Sequence, residues 1–188
     1  TKFYFDKSTR NNERKKYQLA NNQIVLGCIG RFVESKNQSF CLEIMKKLSK
    51  FGNYQLFLIG DGPTMKQIKN KINEFHLNSF VRILDVSENV GKYYQLMDFY
   101  VFPSLFEGLG MTVIEAQISG LPCVIFENLP MELNISNNLY RMNKNSSATE
   151  WAILIHEKCK DLSSRCSISC EEFDIHNVVK ILEGVYNA

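Results

Sequence analysis

The chain is poor in the residues that usually announce chemistry. It has three histidines, His76, His156 and His176. All fall within or at the end of predicted helices, which marks them as structural or surface residues rather than catalytic ones. No two cysteines have C-x-x-C spacing, and no histidine stands near Cys166 and Cys170, so a zinc site is excluded. No Ser-His-Asp set, Walker loop or metal cage is present. The formal net charge is only +2, which gives no reason to expect a nucleic-acid partner. The longest apolar run is too short to cross a bilayer. Residues 1–20 are polar and charged, unlike a secretory signal.

What remains is the composition of an ordinary core. Hydrophobic residues make up 45% of the 188, with 13 Phe and 8 Tyr, enough to bury one sizeable domain over residues 1–188. Cys28 and Cys123 lie in predicted buried strands, where a thiol acts as a small hydrophobe. A reduced, cytoplasmic protein is therefore expected. In that compartment the N-x-S triplets at Asn37, Asn134 and Asn145 are chance matches.

Strand and helix patterns alternate along the chain. Residues 24–29, 54–59, 81–84, 99–102 and 122–126 read as strands, with a short sixth at 139–142. Helical patterns cover 37–50, 63–75, 90–97, 111–118, 147–160 and 171–186, with Pro63 in a first helical turn. The expected fold is α/β, a Rossmann-like parallel sheet of about six strands with helices on both faces. Right-handed crossovers send every strand's C-terminal end to one edge, where ligands bind. Gly30-Arg31, Gly60-Asp61-Gly62, Asp85 and residues 104–110 all follow strand ends. They should line one cleft. The stretch 127–138 reads as the longest loop.

The most informative run is Glu107-Gly108-Leu109-Gly110-Met111-Thr112-Val113-Ile114-Glu115. It reads as a glycine-bearing loop that opens a helix, with one carboxylate in the loop and the other in the helix's second turn. Amides at such a helix start attract an anion. A ligand with phosphates in the middle and hydroxyls at both ends suits it, as a nucleotide-sugar does. Glu115 could bind a ribose diol, or could merely favour the helix dipole. Glu107 could serve sugar hydroxyls, or be a surface loop acid. Arg31 and Lys36 could grip a diphosphate, Arg in a bidentate fork and Lys as a point charge, or be solvated loop cations. Gly60-Asp61-Gly62 follows the second strand with the wrong spacing for a dinucleotide fingerprint. It reads as a tight turn, with Gly62 allowing close approach of a ligand.

Taken in order, these elements resemble the C-terminal half of the group 1 (family 4) retaining glycosyltransferases of GT-B fold. The ordered set is Gly30-Arg31 with Lys36-Asn37, Gly60-Asp61-Gly62-Pro63, the run D-F-Y-V-F-P-S from Asp98 to Ser104, Glu107 to Glu115, Ala116-Gln117 and Gly120-Leu121-Pro122. The wording is most similar to bacterial enzymes of capsular, exo- or O-polysaccharide assembly. The resemblance implies that Arg31 and Lys36 bind the donor diphosphate, with Gly30 beside them. It gives Glu107 and the amides of Gly108, Leu109, Gly110 and Met111 to the donor sugar. Amides near Met111 and Thr112 would take the phosphates, and Glu115 the ribose. Gly60, Gly62 and Asp85 complete the implied donor site, and Glu107, Arg31 and Lys36 would carry catalysis.

By the same resemblance the donor is a UDP-sugar, with no cofactor and no metal required. The chain departs from the family in two ways. Leu84-Asp85-Val86 stands where a Gly is common near the nucleobase. The N-terminal, acceptor-binding half is also missing, so this piece alone should not transfer sugar. Any peripheral membrane contact would come through that half. Two alternatives stay open: half of a GT-B epimerase or phosphorylase, and a non-catalytic nucleotide-sugar-binding or regulatory module.

Overall fold

An unbroken run of apolar residues has no solvent face, so it is stable as a strand only when both sides are covered. The computed structural model, which describes residues 3–86, 89–160 and 165–168, bears this out. β1 (Ile24–Ile29), β2 (Tyr54–Ile59), β3 (Val81–Leu84), β4 (Phe99–Phe102), β5 (Cys123–Phe126) and β6 (Leu139–Met142) form one sheet. Its order is β3-β2-β1-β4-β5-β6, and every pairing is parallel. The helices are α1 (Lys7–Lys16), α2 (Gln38–Leu48), α3 (Met65–Glu74), α4 (Gly91–Leu96), α5 (Met111–Ile118) and α6 (Ala148–Lys160). The helix expected at 171–186 lies outside the described residues, as do His176 and Cys170.

Strand side chains alternate between two cores. Leu26, Leu56, Leu58, Phe99 and Val101 pack with α2, α3 and α6 around Trp151. Val25, Phe57, Ile59, Tyr100 and Ile125 pack with α4 and α5. The sheet is thus sandwiched, as the expected fold requires. Successive strands are added leftward from β1 and rightward from β4, and this switch point is where such sheets bind ligands. Lys36 and Glu107 belong to the two loops that leave it.

Three local expectations need correction. Helix α3 begins at Met65 with Thr64 as its N-cap, so Pro63 precedes the helix instead of lying in its first turn. Lys36 lies in a short 3-10 turn, Glu34–Lys36, and Asn37 in a left-handed conformation (φ 52°) joins it to α2. α1 was not foreseen at all. Its sequence, KSTRNNERKK, has no apolar stripe. It is held by charge: Arg10 Nη2 and Arg14 Nη1 reach the Asp98 carboxylate at 2.5 and 3.1 Å. Asp98 also accepts the backbone N–H of Val25 at 2.8 Å, tying β1, β4 and α1 at one point.

Candidate functional site

The loop after β1 and the loop after β4 meet at the switch point. Lys36 Nζ lies 2.5 Å from Glu107 Oε1, with both side chains largely buried. The lysine ammonium also stands over the Phe102 ring, 5.1 Å from its centroid. Buried Ser104 has its hydroxyl 2.6 Å from the same glutamate oxygen, 2.9 Å from the Ser35 carbonyl and 3.1 Å from that of Phe106. One hydroxyl carries one proton, and an ionised carboxylate is the strongest of these acceptors. The Leu105 N–H donates to the Ser35 carbonyl at 2.8 Å, locking the two loops together. The sequence placed Ser104 at the cleft edge but assigned it no role. Its only signal was a polar residue just past a buried strand.

Gly110 caps α5 in the left-handed region (φ 69°) with no side-chain acceptor for the helix's first amides. Only Val113 N–H turns back, to the Gly110 carbonyl at 2.9 Å. The amides of Met111 and Thr112 are therefore left without a side-chain cap at the start of α5, the condition for an anion site. Four residues on, Glu115 is half-buried, and its Oε2 accepts the Tyr94 hydroxyl at 2.7 Å. Burial raises the Tyr94 phenol well above the ordinary tyrosine value; neighbouring Tyr100 and Glu115 add to the shift, so Tyr94 is a permanent donor. The Gly30 α-carbon faces the Lys36 stem. The Arg31 side chain is exposed next to it and joins none of the ion pairs among the described residues.

The remaining glycines divide by role. A Cβ on Gly62 would sit 2.3 Å from the Phe32 carbonyl oxygen, and one on Gly60 2.1 Å from that of Gly30. Gly62 thus permits a close approach of the β1 loop backbone. Gly108 faces open space, so the pair in the loop is not equivalent. Asp85 is exposed, and its carbonyl accepts the Tyr93 hydroxyl at 2.7 Å. His76 ends α3 and His156 pairs with the Tyr54 hydroxyl at the start of β2, both away from the cleft. Around Glu107 the rim is apolar: Leu105, Phe106, Leu109, Met111 and Met131 are exposed, Phe106 at 76%. No sequence pattern flagged that rim.

The model of one family, glycosyl transferases group 1, matches residues 9–167. The chain belongs to this family. EpsF of Bacillus subtilis (strain 168) is 33% identical over 136 residues, 71% of this chain and 35% of EpsF. The capsular polysaccharide biosynthesis glycosyltransferase CapH of Staphylococcus aureus is 27% identical over 188 residues, 93% of this chain and 50% of CapH. The crystal structure of Anabaena Alr3699/HepE in complex with UDP and glucose shares the fold, with TM-score 0.81 at 17% identity over 100% of this chain and 54% of that one. The chain thus spans about a third to a half of the length of the group 1 relatives it matches. No helix among the described residues is long and apolar enough to cross a membrane.

Proposed function

We propose that this chain is the donor-binding half of a retaining glycosyltransferase that takes a sugar from UDP-sugar and passes it to a polysaccharide or lipid-linked acceptor. The observation that carries the reading is the meeting of Lys36 and Glu107 at 2.5 Å beside the uncapped start of α5. A cation for phosphate and an acid for sugar hydroxyls stand side by side, so the sugar–phosphate bond of a donor would lie over the pair. CapH is named for capsular polysaccharide biosynthesis and HepE was crystallised with UDP and glucose, which supports the acceptor class and the donor class.

In this reading Arg31, Lys36 and the first amides of α5 hold the diphosphate. Cleavage leaves its negative charge on the departing nucleotide. Groups already aimed there stabilise it without reorganising, a common source of large rate effects. Glu107 orients the sugar and Glu115 the ribose. The N-terminal half of the enzyme, with the acceptor site, closes over the apolar rim at Phe106. Buried free thiols at Cys28, Cys41, Cys123 and Cys159 support a cytoplasmic location.

Titration calorimetry with UDP tests the proposal. Arg31→Ala and Lys36→Ala are each expected to weaken binding about tenfold, the loss of about 1.4 kcal/mol. Unchanged affinity in both variants would remove the phosphate assignment.

A further inference from the structure

Tyr94 lies in α4, outside every cleft loop, and none of the roles above uses it. Its ring is fully buried. It meets Tyr100 with ring centroids 5.9 Å apart at 60°, and Phe3 at 5.9 Å and 77°. Its hydroxyl is aimed at α5, 2.7 Å from Glu115 Oε2 and 3.2 Å from the Thr112 carbonyl. The backbone of Tyr94 is fixed as firmly as its ring. Arg165 Nη2 donates to the Tyr94 carbonyl at 2.8 Å. Arg10 and Arg14 donate to the carbonyls of Gln95, Leu96 and Met97 that follow. The C-terminal end of α4 is thus held by three guanidinium groups.

Glutamate is a long side chain, and holding it in one rotamer costs conformational entropy. A rigid donor behind Glu115 removes that freedom before any ligand arrives. We propose that Tyr94 is the positioning residue for Glu115, anchoring Oε2 so that the carboxylate meets the ribose hydroxyls of a nucleoside diphosphate in a single geometry. This rests on the assignment of Glu115 to the ribose. A tyrosine that only filled the core would affect stability and leave ligand preference alone.

The test compares UDP with 2′-deoxy-UDP by calorimetry on the full-length protein. A site built to hydrogen-bond a hydroxyl discriminates against the analogue lacking it. The wild type should prefer UDP by about tenfold. Tyr94→Phe keeps the ring and removes the donor. It should weaken UDP about fivefold and 2′-deoxy-UDP by less than about twofold, so the preference collapses. Equal weakening of both nucleotides, or no change in either, would overturn the proposal and leave Tyr94 a packing residue. Glu115→Ala, which removes both acceptor oxygens, separates the two levels. If it leaves the preference intact, the ribose assignment falls and the role of Tyr94 falls with it. If it abolishes the preference while Tyr94→Phe preserves it, only Tyr94 is wrong. Should Tyr94→Phe fail to fold, Glu115→Asp examines the same geometry. A side chain one methylene shorter cannot reach both the tyrosine and the ribose. Loss of preference supports the proposal, and retention overturns it.

Discussion

Glu107 Oε1 is shared by Lys36 Nζ at 2.5 Å and the Ser104 hydroxyl at 2.6 Å. The glutamate therefore neutralises the very cation that a diphosphate would need. Glu107→Gln keeps the shape and removes the charge, which releases Lys36. UDP binding to this variant is expected to hold or to rise by up to about threefold, because a like-charged neighbour has gone. Sugar transfer by the intact enzyme should fall by about a hundredfold, as for loss of a preorganised contact at the reacting centre. Calorimetry and a sugar-transfer assay measure the two effects separately. A drop in UDP affinity matching that of Lys36→Ala would show that Glu107 holds Lys36 in place and does nothing more.

Asp98 is the junction of β1, β4 and α1. Removing it takes the counter-charge from Arg10 and Arg14, which keep only their carbonyl acceptors, and leaves the Val25 N–H without its acceptor. Breaking a largely buried ion pair from one side costs about 3 kcal/mol. Asp98→Ala should lower the urea midpoint accordingly and make the Arg10 and Arg14 peptide bonds cleavable by trypsin. A wild-type midpoint with unaltered proteolysis would mean that α1 is held by other contacts.

How much of this was legible follows from what each element uses to stay in place. β1, β2 and β4 match their apolar runs because a doubly covered strand writes its burial directly into composition, whereas the edge strands β3 and β6 are largely half-buried and carry Arg82 and Arg141. α1 could not be read that way, since its arginines pair with the Asp98 carboxylate and the carbonyls of Gln95, Leu96 and Met97, 82 to 88 positions on in the chain. At the site, the run Glu107 to Glu115 gave the loop and helix start correctly. The contact between Lys36 and Glu107 follows only from β1 and β4 being neighbours, a matter of strand order rather than of local pattern. Gly60 and Gly62 carry no mark in sequence that distinguishes contact with Phe32 and Gly30 from contact with a ligand.

The buried tyrosines fix the alkaline limit of stability. Burial, and after it Cys159, pushes the Tyr54 phenol up to about 12. Tyr94 and Tyr100 are also raised well above the ordinary value of 10, chiefly by burial. A phenol with a raised folded-state pKa binds its proton more tightly in the folded chain than in the unfolded one. Its stabilising share is therefore complete below about pH 10 and is lost as pH climbs through 12 and beyond. Phenolate absorbance reads the ionisation of these three phenols. The buried ones should ionise only together with loss of the folded circular dichroism signal. Full ionisation of all eight tyrosines in a still-folded protein would contradict this burial.

Gly108 and Gly110 lie two residues apart, and only one is needed as glycine. Gly110 has φ 69°, and a Cβ there would contact Leu133 at 3.4 Å. Placing an L-residue in that left-handed conformation costs about 1–2 kcal/mol. A Cβ on Gly108 meets nothing within 4 Å, and the residue is not among those with positive φ. Gly108→Ala should thus be neutral or stabilise by about 0.5 kcal/mol through the unfolded chain. Gly110→Ala should destabilise, and it should also weaken UDP, because the cap that turns the Met111 and Thr112 amides outward is distorted. Paired thermal denaturation and calorimetry of the two variants read both effects. Equal behaviour of the two would mean that the loop relaxes freely and that α5 does not depend on its left-handed cap to face the cleft.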